Sequence, residues 1–302
     1  MAAVVTLAGV LASPGAVPAN VGVSGYRLLA GDGGVFSFAA PFFGSGASNP
    51  ATCSPAAGSA APNGGCVSMA TTVTGNGYWI LNGSTGVITD YGDAVSFGTP
   101  ATKFAGVPRD LIPSFHQIVA TPDGKGYWVL AVGLSGLGSV EAFGDASTFG
   151  DETTAPGPAG HVGSPVGLAA MPTGKGYWIA DSDGGVFSFG TARFFGSMGG
   201  RPLNAPVVGI VAAPDGNGYW MVAADGGVFA FGTASFFGSM GGRHLNAPVV
   251  GMADNLGAPG FGYWLAAADG GVFTFGHATF QGSMGGRPLN KPVVAISASP
   301  PA

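Results

Sequence analysis

Arg201, Arg243 and Arg287 each follow the run Gly-Ser-Met-Gly-Gly, and Asp183, Asp225 and Asp269 each open an upstream Asp-Gly-Gly-Val-Phe. These are the residues of the chain best placed by type and spacing to do chemistry. Guanidinium groups present forked donors that match a carboxylate or a phosphate, so the set could bind an anionic polymer. The same residues could instead pair Arg to Asp and tie neighbouring repeats together. Exposed pairs of that kind contribute about 0–1 kcal/mol.

Other reactive side chains fall less regularly. Glycoside hydrolysis needs two carboxylates about 5–10 Å apart. Glu141 and Glu152 are the only glutamates, and Asp90, Asp93 and Asp145 sit at or after candidate strands. His116, His161, His244 and His277 occupy different points of the repeat, with no metal-triad or Ser-His-Asp spacing. Asp123 and Asp215 lie in Pro-Asp-Gly turns that lack the further oxygen ligands of a calcium loop. No metal site and no cofactor is expected. Cys53 and Cys66 flank a short Ser/Pro/Ala/Gly/Asn segment. They fit a disulfide in an oxidising compartment, worth about 3 kcal/mol, or two free thiols in a reducing one.

The elements that must position these residues repeat. Gly-Tyr pairs recur at Tyr26, Tyr78, Tyr127, Tyr177, Tyr219 and Tyr263, and five of them continue into Trp79, Trp128, Trp178, Trp220 and Trp264. A period in this range denotes one supersecondary unit stacked many times. In the unit 206–246, Pro206–Ala213 reads as a buried strand, Tyr219–Ala224 as a second and Val228–Phe231 as a third. Ser235–Met240 reads as a fourth, outer strand. Asp225-Gly226-Gly227 reads as a tight hairpin of the primed type.

Four antiparallel strands per unit predict an all-β, six-bladed β-propeller of four-stranded blades. The final strand, from Pro292, has no second strand after it, and Gly25–Ala30 has no first strand before it. Joining them closes the ring and hides its edges. The alternatives are a pair of β-trefoils, or a seventh blade using Val4 to Ala12. The identical placement of the tryptophans favours packing between blades over stacking on sugars.

Composition fits this reading. Of 302 residues, 46% are hydrophobic and only 8% charged, with 57 glycines and 21 phenylalanines, which suits short strands joined by tight turns. A net charge of −5 argues against nucleic acid, which needs clustered Lys and Arg. Residues 1–19 resemble a secretory signal peptide, apolar and ending in Val17-Pro18-Ala19, although the basic start is missing. Residues 20–302 then form one domain of six repeats, and no other segment could cross a bilayer.

The motifs Gly-Tyr-Trp, Asp-Gly-Gly-Val-Phe-x-Phe-Gly and Phe-Phe-Gly-Ser-Met-Gly-Gly resemble a repeat family of secreted actinobacterial proteins. There the repeats often accompany wall hydrolases, peptidases or esterases. The resemblance is specific in the last three copies. It departs where Ser84-Thr85-Gly86 and Ser135-Gly136 replace Asp-Gly-Gly, and where Arg27 replaces Trp. It implies an extracellular, wall-associated protein and no catalytic residues.

The expected function is therefore noncatalytic binding or scaffolding at the cell envelope, with a wall glycan or an envelope protein as partner. One alternative is a glycoside hydrolase of the sialidase-like propeller type, although Ser182 and Phe187 miss the Asp-box spacing. The other is a purely structural protein-interaction repeat.

Overall fold

The computed structural model describes residues 24–54, 65–155, 163–256 and 260–300. The signal-peptide reading of residues 1–19, the spare strand at Val4 to Ala12 and His161 lie outside them.

The chain opens with β1 (Gly25–Ala30) and β2 (Val35–Phe38). Five triplets follow. They are β3 (Cys66–Thr71), β4 (Gly77–Asn82) and β5 (Ile88–Gly92); then β6 (Ser114–Ala120), β7 (Gly126–Val132) and β8 (Gly138–Gly144); then β9 (Pro165–Ala170), β10 (Gly176–Asp181) and β11 (Val186–Gly190). The last two triplets are β12 (Val207–Ala212), β13 (Gly218–Ala223) and β14 (Val228–Gly232), then β15 (Val249–Asp254), β16 (Gly262–Ala267) and β17 (Val272–Gly276); β18 (Val293–Ser299) ends the order.

Each triplet is one antiparallel sheet with its Gly-Tyr strand in the middle. The sixth sheet joins the two ends of the described chain in the order β18-β1-β2. Leu28 lies opposite Ile296 and Leu29 opposite Ala295 in its antiparallel register. We number the sheets 1 to 6 from the one containing β1. Their first strands also pack in a circuit, β3 on β6, then β9, β12, β15 and β18, and β18 back on β3.

The Gly-Tyr-Trp motif explains how sheet holds sheet. Every residue of β1, β4, β10, β13 and β16 is buried. The tryptophan of one sheet meets the tyrosine of the next at each of five junctions. Ring centroids are 5.6 Å apart for Trp79–Tyr127, 6.0 Å for Trp128–Tyr177, 5.4 Å for Trp178–Tyr219, 5.9 Å for Trp220–Tyr263 and 5.0 Å for Trp264–Tyr26. Such aromatic pairs add about 0.5–1.5 kcal/mol each beyond their burial. At the sixth junction the Arg27 guanidinium lies over the Tyr78 ring, 5.0 Å from its centroid.

Among the described residues the expected fourth strand is absent, and each sheet has three strands. The outer segment of each unit is held by side chains rather than by a ladder. In sheet 5, Trp220 Nε1 donates to Ser235 O at 2.8 Å. From sheet 6, the Tyr263 hydroxyl accepts from Phe237 N at 3.1 Å and donates to Gly238 O at 2.6 Å. Those are backbone groups a ladder would have used, and Gly238 has φ +128°, outside strand geometry.

Every tyrosine of the six repeats this pair of bonds onto the preceding sheet. Tyr26 makes it across the seam, accepting from Gln281 N at 3.2 Å and donating to Gly282 O at 2.6 Å. Arg27 fills the tryptophan's role in sheet 1, with its Nε donating to Pro41 O at 3.0 Å. It goes further, to Gly75 O at 2.7 Å in sheet 2. Burial pulls this guanidinium down to about 10, so it stays charged at neutral pH.

The glycine before each tyrosine is a close approach. A Cβ on Gly218 would lie 2.3 Å from Phe231 O. The Asp-Gly-Gly hairpin is not of the primed type either, because only Gly226 has positive φ there (+77°). Gly226 N donates to Ala223 O and Ala223 N to Gly227 O, each at 2.8 Å. That is a three-residue loop with glycine at its left-handed position.

Candidate binding face

Two backbone bonds fix the arginine set relative to the aspartate set. Met240 N donates to Gly226 O and Arg243 N to Met240 O, each at 2.9 Å. The connection carrying Arg243 is therefore clamped on the Asp225 turn of its own sheet. Met198 and Arg201, and Met284 and Arg287, repeat the arrangement on Gly184 and Gly270. All six residues thus stand at one end of three adjacent sheets, sheets 4 to 6.

Their side chains do different things. Asp183, Asp225 and Asp269 turn back on their own loops, each accepting from the amide of the second glycine (Gly185, Gly227, Gly271) at 2.9 Å. This is the local bond that aspartate makes in turns. Arg201, Arg243 and Arg287 are exposed. Among the described residues the geometry gives the ion pairs Lys103–Glu141 and Lys125–Asp123, and the alternative Arg–Asp ties are not among them. His244 and Lys291 are exposed on the same connections. Arg201, Arg243, Arg287 and Lys291 are four of the chain's 10 Lys and Arg residues, gathered on one arc.

Sheet 1 keeps the aspartate turn, with Gly34 N donating to Asp32 Oδ1 at 3.0 Å, but sheets 1 to 3 carry no arginine on the outgoing connection at the place of Arg201. The turn of sheet 2 closes on Asn82, whose Oδ1 accepts from Ser84 N and Thr85 N. The connection from sheet 1 to sheet 2 carries the Cys53–Cys66 disulfide, with Cα atoms 4.8 Å apart. Its place beside β3 is fixed by Gly65 N donating to Cys53 O at 2.8 Å.

The carboxylates considered for hydrolysis are scattered. Glu141 pairs with Lys103. Asp93 accepts from Thr72 at 2.8 Å and from Thr74 at 2.5 Å, at the end opposite the arginines. Asp145 and Asp123 line one pocket at that same end, and Asp90 is exposed on β5. Glu152 is buried between sheets 3 and 4. Asp123 and Asp215 close their turns through Lys125 N and Asn217 N. His116 meets Ser114 Oγ at 3.0 Å, and burial holds its imidazole below the usual range. Among the described residues no group of three or more His, Cys, Asp or Glu could hold a metal ion. No helix among them is long and apolar enough to cross a membrane.

A cavity of about 480 Å³ runs along the axis, lined by all six first strands. Its mouth is formed by Pro122, Pro172 and Pro214, at the end away from the arginines. Positions opposite the six tyrosines line it, as Thr71, Ala120, Ala170, Ala212, Asp254 and Ala298. Asp254 is the one charged member, and burial pushes its carboxyl up to about 6.

No family model and no curated protein matches this chain. Among solved structures it is similar to a structural genomics protein of unknown function from Bacteroides thetaiotaomicron VPI-5482. The two are 12% identical with a TM-score of 0.47, over 83% of this chain. The chain spans 61% of that protein's length.

The sequence singled out the six Arg and Asp positions but not their division of labour. Arg27 was visible as a departure from the motif but not as a determinant, and Asp254 was missed. Each breaks the repeat at a fixed position, which is the signal that marks them.

Proposed function

We propose that this chain is a six-bladed β-propeller that acts as a noncatalytic binding module, taking an anionic polymer across Arg201, Arg243 and Arg287. One observation carries the reading: the neighbouring aspartates spend a carboxylate oxygen on their own turn amides, while the guanidiniums stand exposed at equivalent places on adjacent sheets. Three equivalent forks suit a ligand that itself repeats, because each further contact becomes an intramolecular one. A carboxylated or phosphorylated wall glycan has that chemistry. The disulfide is compatible with an extracellular location, as the resemblance to secreted actinobacterial repeats implies.

The test is binding of wild-type protein and the Arg201→Ala, Arg243→Ala, Arg287→Ala triple variant to immobilised anionic and neutral glycans. The reading expects salt-sensitive binding to the anionic set that the variant loses. Equal binding by both proteins would remove the arginine face from contention, and no binding to any anionic polymer would remove the ligand class.

A further inference from the structure

The axial cavity has two unlike sides. On one side β6, β9 and β12 place Ala120, Ala170 and Ala212 at the level paired with their tyrosines, and Val119, Ala169 and Val211 one residue deeper. The next three strands of the circuit, β15, β18 and β3, place Asp254, Ser297 and Thr71 at those same two levels. Asp254 and Thr71 pair with Tyr263 and Tyr78, and Ser297 pairs with Arg27. Gln117 lies farther in, and its Oε1 is taken by Leu168 N at 2.6 Å.

The Thr71 and Ser297 hydroxyls are 2.8 Å apart across the junction of sheets 1 and 2. Arg27 Nη1 donates to Thr71 Oγ1 at 3.3 Å, and a guanidinium can only donate. Two hydroxyls hold two hydrogens, and one of these makes the bond between them. The other has no acceptor among the described residues, whichever way the pair is oriented. Both residues line the cavity, and the buried guanidinium behind them strengthens the donor. The pair therefore offers a hydrogen to an acceptor in the cavity.

Asp254 offers the opposite. It is half-buried, and it is the one Asp, Glu, Lys or Arg among the described residues of the lining. A carboxylate held in largely apolar walls favours a cation that can also hydrogen-bond it. The volume of about 480 Å³ suits a small molecule, and such sites are mostly apolar with a few convergent polar groups.

We propose that the axial cavity binds a small organic cation, with its ammonium on Asp254, a carbonyl-type acceptor on the Thr71–Ser297 pair and an apolar body against the alanine and valine side. The site lies at the end away from Arg201, Arg243 and Arg287, so it stands whether or not that face takes a polymer.

The test is isothermal titration of the whole chain with three probes of similar shape. N-benzyl-β-alaninamide carries both the ammonium and the carbonyl, N-benzylpropanamide lacks the ammonium, and 5-phenylpentylamine lacks the carbonyl. At about pH 7.5 the Asp254 carboxyl, pushed up to about 6 by burial, is ionised. Wild-type protein is expected to bind the first probe at least about tenfold more tightly than either counterpart. Asp254→Ala gives β15 the residue that Ala120, Ala170, Ala212 and Ala298 supply at this level. It is expected to lose the preference over N-benzylpropanamide and to keep the preference over 5-phenylpentylamine. The proposal is overturned by no binding of the first probe at millimolar concentration, by a missing preference over either counterpart in the wild type, or by an Asp254→Ala variant that ranks the probes as the wild type does. Should the variant not fold, the wild-type ranking decides alone.

Discussion

Tyr26→Phe removes one hydroxyl at the seam where the ring joins. That hydroxyl donates to Gly282 O at 2.6 Å and accepts from Gln281 N at 3.2 Å, some 255 residues away in sequence. Without it, two backbone groups packed under the next sheet lose their partner. An orphaned buried group costs about 1–3 kcal/mol, so the pair is worth about 2–6 kcal/mol. Tyr219→Phe removes the same two bonds, to Phe195 N and Gly196 O, at an internal junction. If the seam stays shut whenever the protein is folded, the two variants lose the same stability, within about 0.5 kcal/mol. If the seam opens within the native state, Tyr26→Phe costs less, because its bonds are already broken part of the time. Urea unfolding of both variants decides, with midpoints shifted and slopes unchanged. A loss below about 0.5 kcal/mol for Tyr26→Phe beside about 2 kcal/mol or more for Tyr219→Phe would refute a permanently closed ring.

Three further outcomes follow from the same geometry. Arg27→Trp restores the regular motif and keeps a donor for Pro41 O, so it should cost less in a thermal melt than Arg27→Leu, which strands Pro41 O and Gly75 O together for about 2–6 kcal/mol. Gly218→Ala forces a Cβ to 2.3 Å from Phe231 O and should cost more than about 2 kcal/mol, whereas Gly209→Ala meets only Val222 Cγ1 at 3.7 Å and should stay within about 1 kcal/mol in urea unfolding. Replacing Cys53 and Cys66 together by alanine should lower stability by about 3 kcal/mol, and a reductant should then leave the melting point of the variant unchanged.

Much of the architecture was legible because the motif that repeats is also the motif that packs. Gly-Tyr-Trp gives the number of sheets, the middle strand of each and, through the unmatched first and last strands, the pairing of β18 with β1. The count of strands per sheet was not legible. Ser235–Met240 has strand-like composition, but a composition does not reveal that Tyr263 and Trp220 capture its polar groups first.

The Arg and Asp positions were found by their spacing. Spacing left open whether they pair with each other, and the geometry gives each aspartate a nearer donor in its own turn amide, 2.9 Å away. Arg27 was visible as a departure, but its use as a substitute for an indole N–H needs the geometry of Pro41 O.

The closing sheet can be observed directly in the backbone nuclear Overhauser spectrum of the whole chain. The account predicts contacts from β1 to both flanking strands within one molecule, with Leu28 near Phe36 on one side and near Ile296 on the other. Contacts between Leu28 and Ile296 that appear only between differently labelled molecules, or none at all, would contradict it.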